Sequence, residues 1–290
     1  MLEEKLYKQS EIYNLPGFIS AIILGSLLAV FLGFIYNFLI VTIPLVYVNL
    51  FLCAGYGAVL GYGIKYFSRF GKIRNTRQNL FLAGVVGFVG FYFQWIAYFV
   101  FLNSGEHSFQ AYQENFNLIY NPALFLELLF ELNKVGSWEM FGVIFTDFAL
   151  WVIWGLEALL IIGIPLLIAY KHPIIPFSEN FNQWYTKYVF NNQFESIVTQ
   201  NQFKENLLKN TEETINALSY GDPFRFSEIS MFYIKGEQNQ YLSIDNVFIE
   251  DRGKGKSVRT SIIHSFKIDN DTAQNLMEKF KSKKLNFYEY

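Results

Sequence analysis

The sequence predicts an all-α bundle of four transmembrane helices followed by a cytoplasmic α+β domain. Three observations indicate this fold class: four long apolar stretches in the first 170 residues, a lopsided distribution of charge between them, and a change to mixed charges and short-period alternation after Tyr170. Each stretch is near or above the roughly 20 residues that cross ~30 Å of hydrocarbon. The chain is therefore an integral membrane protein by prediction.

Residues 1–15 are predicted to form a cytoplasmic N-terminal segment. Glu3, Glu4, Lys5 and Lys8 give this segment charges of both signs. The apolar span that follows is too long for a signal-peptide core and lacks a small-residue cleavage site. We therefore expect that span to remain as the first transmembrane helix.

The four spans are predicted within a membrane domain of residues 16–170. Their approximate limits are 18–38, 41–67, 79–102 and 141–169, with an extracytoplasmic segment at 103–140. Within that segment, Pro122 to Lys134 has the pattern of an amphipathic helix. Two placements are open for this helix: flat in the outer interface, or packed over the bundle.

Loop charges predict the orientation of the bundle. The region between the second and third spans contains basic residues and no acidic one: Lys65, Arg69, Lys72, Arg74 and Arg77. The segment 103–140 has Lys134 as its only basic residue beside several glutamates. The positive-inside rule then places both termini in the cytoplasm. Four spans with a cytoplasmic domain are typical of proteins of the bacterial inner membrane.

Small residues recur on the first three spans at helical spacing. Those expected at close helix contacts are Gly25, Ala29 and Gly33 on the first span, Gly57 and Gly61 on the second, and Gly87 on the third. Small side chains let helix backbones approach one another in lipid. Packing among the first three spans within one chain and contacts between subunits are both compatible with the pattern.

The fourth span contains acidic residues at membrane depth. Glu157 lies near its middle, and Asp147 lies nearer its outer end. A charged carboxylate at the bilayer centre costs at least ~2.5–3.5 kcal/mol, so such a group usually faces a partner or water. Gln94 and Asn49 are candidate partners. Glu157 is either a pore-lining or proton-linked carboxylate or a neutral acid that bridges two helices.

Residues 171–290 are predicted to form the cytoplasmic α+β domain. It comprises a helix over 177–188, a second helix over 203–218, a three-stranded antiparallel meander at 229–233, 241–249 and 258–268, and a final helix from about Asp271. Aromatic residues at i, i+4, i+7, i+8 and i+11 predict the first helix, and alternation at period two predicts the strands. A bulge is expected near Asp245 and Asn246.

Four basic residues crowd the turn between the second and third predicted strands: Arg252, Lys254, Lys256 and Arg259. Gly253 and Gly255 between them would let backbone amides approach an anion. Binding of a phosphate, a nucleotide, a protein partner or the anionic leaflet is one interpretation. The other is a solvated hairpin tip, because Glu250 and Asp251 lie beside it.

Catalytic and cofactor-binding motifs are not found in the sequence. Cys53 is the only cysteine, which excludes a disulfide within one chain and a cysteine-based metal site. The balance of 25 acidic against 23 basic residues argues against sequence-specific DNA binding and general polyanion binding. We expect neither an enzyme nor a cofactor-dependent protein.

These observations favour a homo-oligomeric bacterial inner-membrane protein that acts as a pore-forming or channel-like effector. Its cytoplasmic domain would sense a nucleotide or a protein partner, joined to the fourth span by a short linker that contains Pro173 and Pro176. The alternative is a non-conducting membrane anchor or scaffold subunit for a cytoplasmic partner complex. Glu157 is the residue on which the first interpretation depends.

Overall fold

The computed structural model describes residues 2–10, 12–43, 45–140, 142–171, 175–250 and 257–286. Pro173 of the predicted linker and Arg252, Lys254 and Lys256 of the predicted hairpin tip lie outside these ranges. The chain divides into two units. One is formed by Glu11–His172, and the other by Met1–Ser10 together with Pro173–Tyr290, so the second unit combines both ends of the chain.

Helices make up most of the first unit. They are α1 (Leu15–Thr42), α2 (Val46–Phe70), α3 (Thr76–Ser104), α4 (Phe109–Glu114), α5 (Asn117–Tyr120), α6 (Pro122–Val135), α7 (Asp147–Ala158) and α8 (Ile164–Tyr170), with a π-helical turn at Leu159–Gly163 between the last two. Four segments among the described residues are long and apolar enough to cross a membrane: α1, α2, α3 and the continuous segment from α7 to α8. The prediction of four long apolar helices is confirmed, and they indicate a multi-pass membrane protein.

Local sequence sets the ends of the long helices. The side chain of Asn14 accepts a hydrogen bond from the Gly17 amide at the start of α1, and the side chain of Asn75 accepts one from the Arg77 amide at the start of α3. Asparagine is among the preferred N-cap residues because its oxygen satisfies an amide that has no helical partner. Gly105 ends α3 with a φ of 72°, a left-handed conformation that glycine adopts without a Cβ penalty.

The fourth span begins later than residue 141, where the sequence placed it. Trp138–Met140 (β1) and Val143–Phe145 (β2) form a two-stranded antiparallel hairpin instead, with Trp138 opposite Phe145. Gly136 and Gly142 have positive φ values of 93° and 78°, which interrupt a helix. The sequence remains apolar through this hairpin, so its composition did not reveal where the helix begins.

Helix α6 packs over the bundle. Its buried residues Phe125 and Leu129 belong to a core cluster with Trp95 and Phe99 of α3 and Trp154 of α7. The ring centroids of Phe99 and Phe125 are 5.8 Å apart in an edge-to-face arrangement. These contacts agree with the packed placement of the two that the sequence left open.

Glycines bring the fourth span against α2 and α3. A Cβ on Gly57 would lie 2.3 Å from the Leu160 carbonyl oxygen, and one on Gly61 would lie 3.1 Å from the Pro165 Cα. A Cβ on Gly87 would lie 3.2 Å from the Ile162 Cα. Gly25 and Gly33 of α1 face α3 instead, toward Val86 and Gln94, and Ala29 of α1 is fully buried. The small residues thus make helix contacts within the chain. Three of them, Gly57, Gly61 and Gly87, pack against the fourth span, in addition to the contacts among the first three spans.

The second unit is an α+β fold. Its strands are β3 (Phe177–Ser178), β4 (Gln183–Trp184), β5 (Thr186–Phe190), β6 (Phe194–Glu195), β7 (Arg225–Tyr233), β8 (Asn239–Ile249), β9 (Ser257–Asp269) and β10 (Ser282–Lys284), and its helices are α9 (Gln200–Lys209), α10 (Thr211–Asn216) and α11 (Asn270–Lys279). In the described part of the chain, the main sheet has six strands in the order β10-β5-β7-β8-β9, with β6 also paired to β7. Its core includes Ile229, Met231, Leu242, Phe266 and Leu276.

The predicted meander is present as β7, β8 and β9, but three strands was too few. The predicted helix over 177–188 is wrong, because this stretch forms β3, β4 and the start of β5. The aromatic residues there fit helical spacing, yet aromatic and β-branched residues also fit a half-buried strand surface. Pairing of Tyr188 with Met231 and of Val189 with Ser230 makes the end of this segment a half-buried strand of the sheet.

Two features of the sheet involve β9. The Tyr7 amide donates to the Ser265 carbonyl and the Lys267 amide donates to the Lys5 carbonyl, so the N-terminal segment pairs with the free edge of this strand. The register of β8 with β9 shifts twice, between Leu242 and Ile244 and between Ile244 and Asp245. The second shift lies next to Asp245, where the sequence predicts a bulge, although the extra residue at each shift belongs to β9.

Candidate functional site: a polar cavity in the helical bundle

A cavity of about 540 Å³ lies inside the helical unit. This volume is within the ~300–1,000 Å³ that is usual for small-molecule sites. Its lining residues are Tyr36, Ile40, Val41, Asn49, Gln94, Trp95, Tyr98, Phe101, Leu102, Ser137, Trp138, Glu139 and Glu157. Three of the four polar residues singled out on the spans, Glu157, Gln94 and Asn49, therefore line one space.

The elements that line the cavity place it in one half of the bundle. Tyr36 to Val41 belong to the end of α1, Asn49 to the beginning of α2, and Phe101 and Leu102 to the end of α3. Ser137 to Glu139 belong to the segment that includes β1. The cavity is therefore on the side of the 105–140 segment, away from the short basic connection between α2 and α3.

Glu157 is the deepest acidic group of the cavity. It lies ten residues after Asp147 on α7, which corresponds to ~15 Å of helix. Its side chain is 7% exposed. Beyond it the bundle is closed by Cys53 and Leu60 of α2 and Ile161 of the π-helical turn, each fully buried. Glu157 thus lies where a polar space meets a packed apolar core.

A π-helical turn follows Glu157 directly. Leu159–Gly163 has this geometry, which is rare and is found mostly as single turns inside α-helices, frequently at functional sites. The Cys53 thiol donates to the backbone carbonyl of Glu157 at 3.6 Å, and Gly57, one turn further along α2, contacts the Leu160 carbonyl. Helix α2 therefore supports the irregular segment at two successive turns.

Four residues of the cavity lining each carry a buried polar atom that has no hydrogen-bond partner among the residues that the structure describes. These atoms are Oδ1 of Asn49, Nε2 of Gln94, Nε1 of Trp95 and Oγ of Ser137. Gln94 and Trp95 are 3% and 4% exposed. An unsatisfied buried polar atom costs ~1–3 kcal/mol, so native proteins keep such atoms at few places, often functional ones. These four atoms are themselves closed off from the cavity space, because each has almost no accessible surface.

The walls of the cavity are aromatic and acidic. Five lining residues are aromatic: Tyr36, Trp95, Tyr98, Phe101 and Trp138. Glu139 and Glu157 are carboxylates, and none of the described lining residues is Lys, Arg or His. The Trp95 and Tyr98 rings meet edge to face with centroids 5.8 Å apart. A group that enters this space meets carboxyl groups and aromatic residues together.

The remaining intramembrane candidate is outside the cavity. Asp147 is exposed in the first turn of α7, and the Asn133 side chain donates to its backbone carbonyl at 3.1 Å. Conversely, the sequence did not single out Tyr36, Tyr98 or Ser137. The spacing of Gln94 and Tyr98, four residues apart on one helix face, is the signal that would have found Tyr98.

Of the basic residues predicted at the hairpin tip, only Arg259 is described by the structure. Its guanidinium forms a two-point ion pair with Glu228, with Nη1 to Oε1 at 2.5 Å and Nη2 to Oε2 at 3.1 Å. This hydrogen bonding raises the pKa of Arg259. Because Glu228 already pairs with the Arg259 guanidinium, Arg259 acts as part of the sheet surface and not as an anion-binding residue.

No protein-family model, curated protein or solved structure matches the chain. The four long apolar helices indicate a multi-pass membrane protein. The bundle cavity is the candidate site in the described residues, because the buried carboxyl group of Glu157 and the polar side chains of Gln94 and Asn49 line it together.

Proposed function

We propose that this protein is a channel-like effector of the bacterial inner membrane, with both termini in the cytoplasm. The cavity around Glu157 is its extracytoplasmic vestibule, and the α+β unit is its sensor for a nucleotide or a protein partner. The orientation rests on the basic connection between α2 and α3, with Lys72 and Arg74, opposite the acidic segment that contains Glu127 and Glu131. It is not proposed to be an enzyme.

The single observation that carries this proposal is the placement of Glu157. A buried carboxyl group on a membrane-spanning helix faces a polar cavity instead of a basic partner. Intramembrane ionisable groups of this kind usually mark ion or substrate pathways. Gln94 of α3 and Asn49 of α2 line the same cavity.

The closed half of the bundle limits the form of the pathway. Leu60, Ile64, Leu82 and Val86 are buried at 0–2% exposure in that half. Conduction therefore requires either a movement of the fourth span at its π-helical turn or a path completed between chains of a homo-oligomer. The proposal includes such an oligomer, with the fourth span adjacent to the pathway.

The same closed core favours the alternative proposal, a non-conducting anchor or scaffold for a cytoplasmic complex. Its candidate binding surface is the sheet face that carries Lys187, Glu228, Asp245 and Arg259. Burial lowers the pKa of Lys187, and Glu228 and Asp245 oppose that effect. A charged sheet face of mixed sign suits a protein partner.

Planar-bilayer recording of the purified full-length protein tests the two proposals. Wild type, Glu157→Gln and Asp147→Asn are compared in a KCl gradient, with linear and cyclic adenine and guanine nucleotides added on the side of the α+β unit. We expect unitary currents from wild type and Asp147→Asn, and a loss of cation selectivity or of current from Glu157→Gln. Silent traces from all three proteins, with a cytoplasmic protein that copurifies stably, would exclude the channel and support the scaffold.

A further inference from the structure

We propose that the bundle cavity binds an organic ammonium group, either as a free amine or as the head group of a lipid. This inference deepens the proposed function, because it names the ligand chemistry of the same vestibule. It rests on three properties of the cavity: its carboxyl groups, its aromatic walls and its polar side chains.

The carboxyl groups of the cavity favour a cation. Glu157 and Glu139 line it, and no basic side chain among the described lining residues neutralises them. Glu157 is 7% exposed, and no described side chain donates a hydrogen bond to its carboxyl group. A buried carboxylate without a counter-ion is unfavourable, and a cationic ligand would supply that counter-ion.

The aromatic walls favour an organic cation over a metal ion. Tyr36, Trp95 and Tyr98 come from two facing helices, α1 and α3, around the same space as Glu157. Trp95 also meets Trp154 of α7 edge to face, with centroids 4.8 Å apart, which holds its ring in place. Ammonium and quaternary ammonium groups bind such aromatic faces through cation–π attraction. Among the described residues, no three His, Cys, Asp or Glu side chains lie together in a group that could hold a metal ion.

Polar side chains also line the cavity, namely Asn49, Gln94 and Ser137. Amide and hydroxyl groups both donate and accept hydrogen bonds, so this lining suits a ligand with an oxygen close to its ammonium group. Choline is the simplest probe of this chemistry.

Tryptophan fluorescence of delipidated full-length protein in a non-ionic detergent tests this inference. Trp95 and Trp138 line the cavity and report on its occupancy. Choline is titrated beside 3,3-dimethyl-1-butanol, a neutral molecule of the same shape, and beside KCl. We expect a saturable change with choline and no saturable change with the other two.

Variants connect the signal to the site. Glu157→Gln preserves side-chain size and removes the charge, so it should weaken choline binding by about tenfold or more. Asp147→Asn, which removes an exposed acid from the same helix, should leave the affinity unchanged. Tyr98→Phe should retain more affinity than Tyr98→Leu, because phenylalanine keeps the aromatic face. Gel filtration of each variant verifies that the particle is intact.

Nanodiscs distinguish the two sources of the ammonium group. If the ligand is a head group, free choline should bind more weakly in phosphatidylcholine discs than in phosphatidylglycerol discs, because the lipid competes. If the ligand is a free amine, the two affinities should agree. Equal responses to choline and its neutral analogue, or unchanged affinity in Glu157→Gln, would overturn the inference.

The two proposals fail separately. Choline binding that depends on Glu157, in a protein that never conducts, would remove the channel and keep the ammonium site. Currents that depend on Glu157, in a protein that binds no choline, would keep the channel and remove the ammonium site. The fluorescence experiment needs no gating ligand, so its result does not depend on the recordings.

Discussion

Gly57 of α2 lies so close to Leu160 that a Cβ on the glycine would be 2.3 Å from the Leu160 carbonyl oxygen. Leu160 belongs to the π-helical turn that follows Glu157. The close approach is possible only because glycine has no side chain. The position of the irregular turn, and with it the depth of Glu157 in the cavity, therefore depends on a glycine on a neighbouring helix.

Replacing Gly57 by alanine should lower the thermal stability of the purified protein. The added methyl group meets backbone and cannot be accommodated by a change of rotamer, so we expect a loss of ~1–3 kcal/mol. Gly55→Ala is the matched control, because a Cβ at Gly55 meets nothing within 4 Å. Melting in detergent measures both variants. Equal melting temperatures would contradict the close packing of α2 against the π-helical turn.

Val41 should be accessible to water, and Cys53 should not. Val41 lines the cavity, whereas Cys53, the only cysteine, is fully buried. We expect a membrane-impermeant thiol reagent, added outside intact cells, to modify Val41→Cys and to leave the wild-type protein unmodified. Mass spectrometry of the purified protein measures the modification. Reaction of Val41→Cys only in inverted vesicles would place the cavity on the cytoplasmic face.

The ion pair of Arg259 with Glu228 should stabilise the sheet modestly. Arg259 is partly exposed, at 49% for its side chain, so we expect a coupling of roughly 0.5–1 kcal/mol. Arg259→Lys should retain only part of this coupling free energy, because an ammonium cannot make the two parallel hydrogen bonds of a guanidinium. A double-mutant cycle with Glu228→Gln, read as amide exchange in β7 and β9, measures the coupling. High salt should reduce it, and a salt-independent value would rule out an electrostatic origin.

Asp269 caps α11 through hydrogen bonds from the Thr272 amide at 2.8 Å and the Thr272 hydroxyl at 2.9 Å. Asp269→Ala should cost ~0.5–2 kcal/mol of local stability, measured as faster amide exchange in α11, and Asp269→Asn should retain the cap. The Thr272 amide lowers the pKa of Asp269 below its usual value. The ionised cap therefore stabilises α11 fully above pH ~3.9, the pKa of Asp in an unfolded chain. This stabilisation is lost as the pH falls through the lower pKa of Asp269 in the folded protein. Unchanged exchange in Asp269→Ala would show that packing alone holds the helix.

Elements with their own periodic signal were predictable from the sequence. Long apolar stretches produced the four helices, and alternation produced β7, β8 and β9. Segment 177–188 was not predictable, because its aromatic spacing satisfies a helix as well as a strand. Neighbours distant in sequence decided between them, with β7 on one side of β5 and β10 on the other.

The candidate site shows the same division. Glu157, Gln94 and Asn49 were identifiable one at a time, since polar side chains are unfavourable in apolar helices. Their common cavity was not identifiable, nor were Tyr36, Tyr98 and Ser137 as its other walls. Tyrosine and serine at helix ends are ordinary in membrane proteins, so only the arrangement of helices gives them a role.

The sequence by itself determined that this chain has four apolar helices of membrane-spanning length and a mixed α+β region, because length, hydrophobicity and alternation are local properties. Only the tertiary structure decided that the N-terminal segment pairs with β9 and that Glu157 faces an aromatic cavity. Those outcomes depend on which surfaces meet. Contacts such as that of Gly57 with Leu160 join residues far apart in the chain, and no local pattern encodes such a pairing.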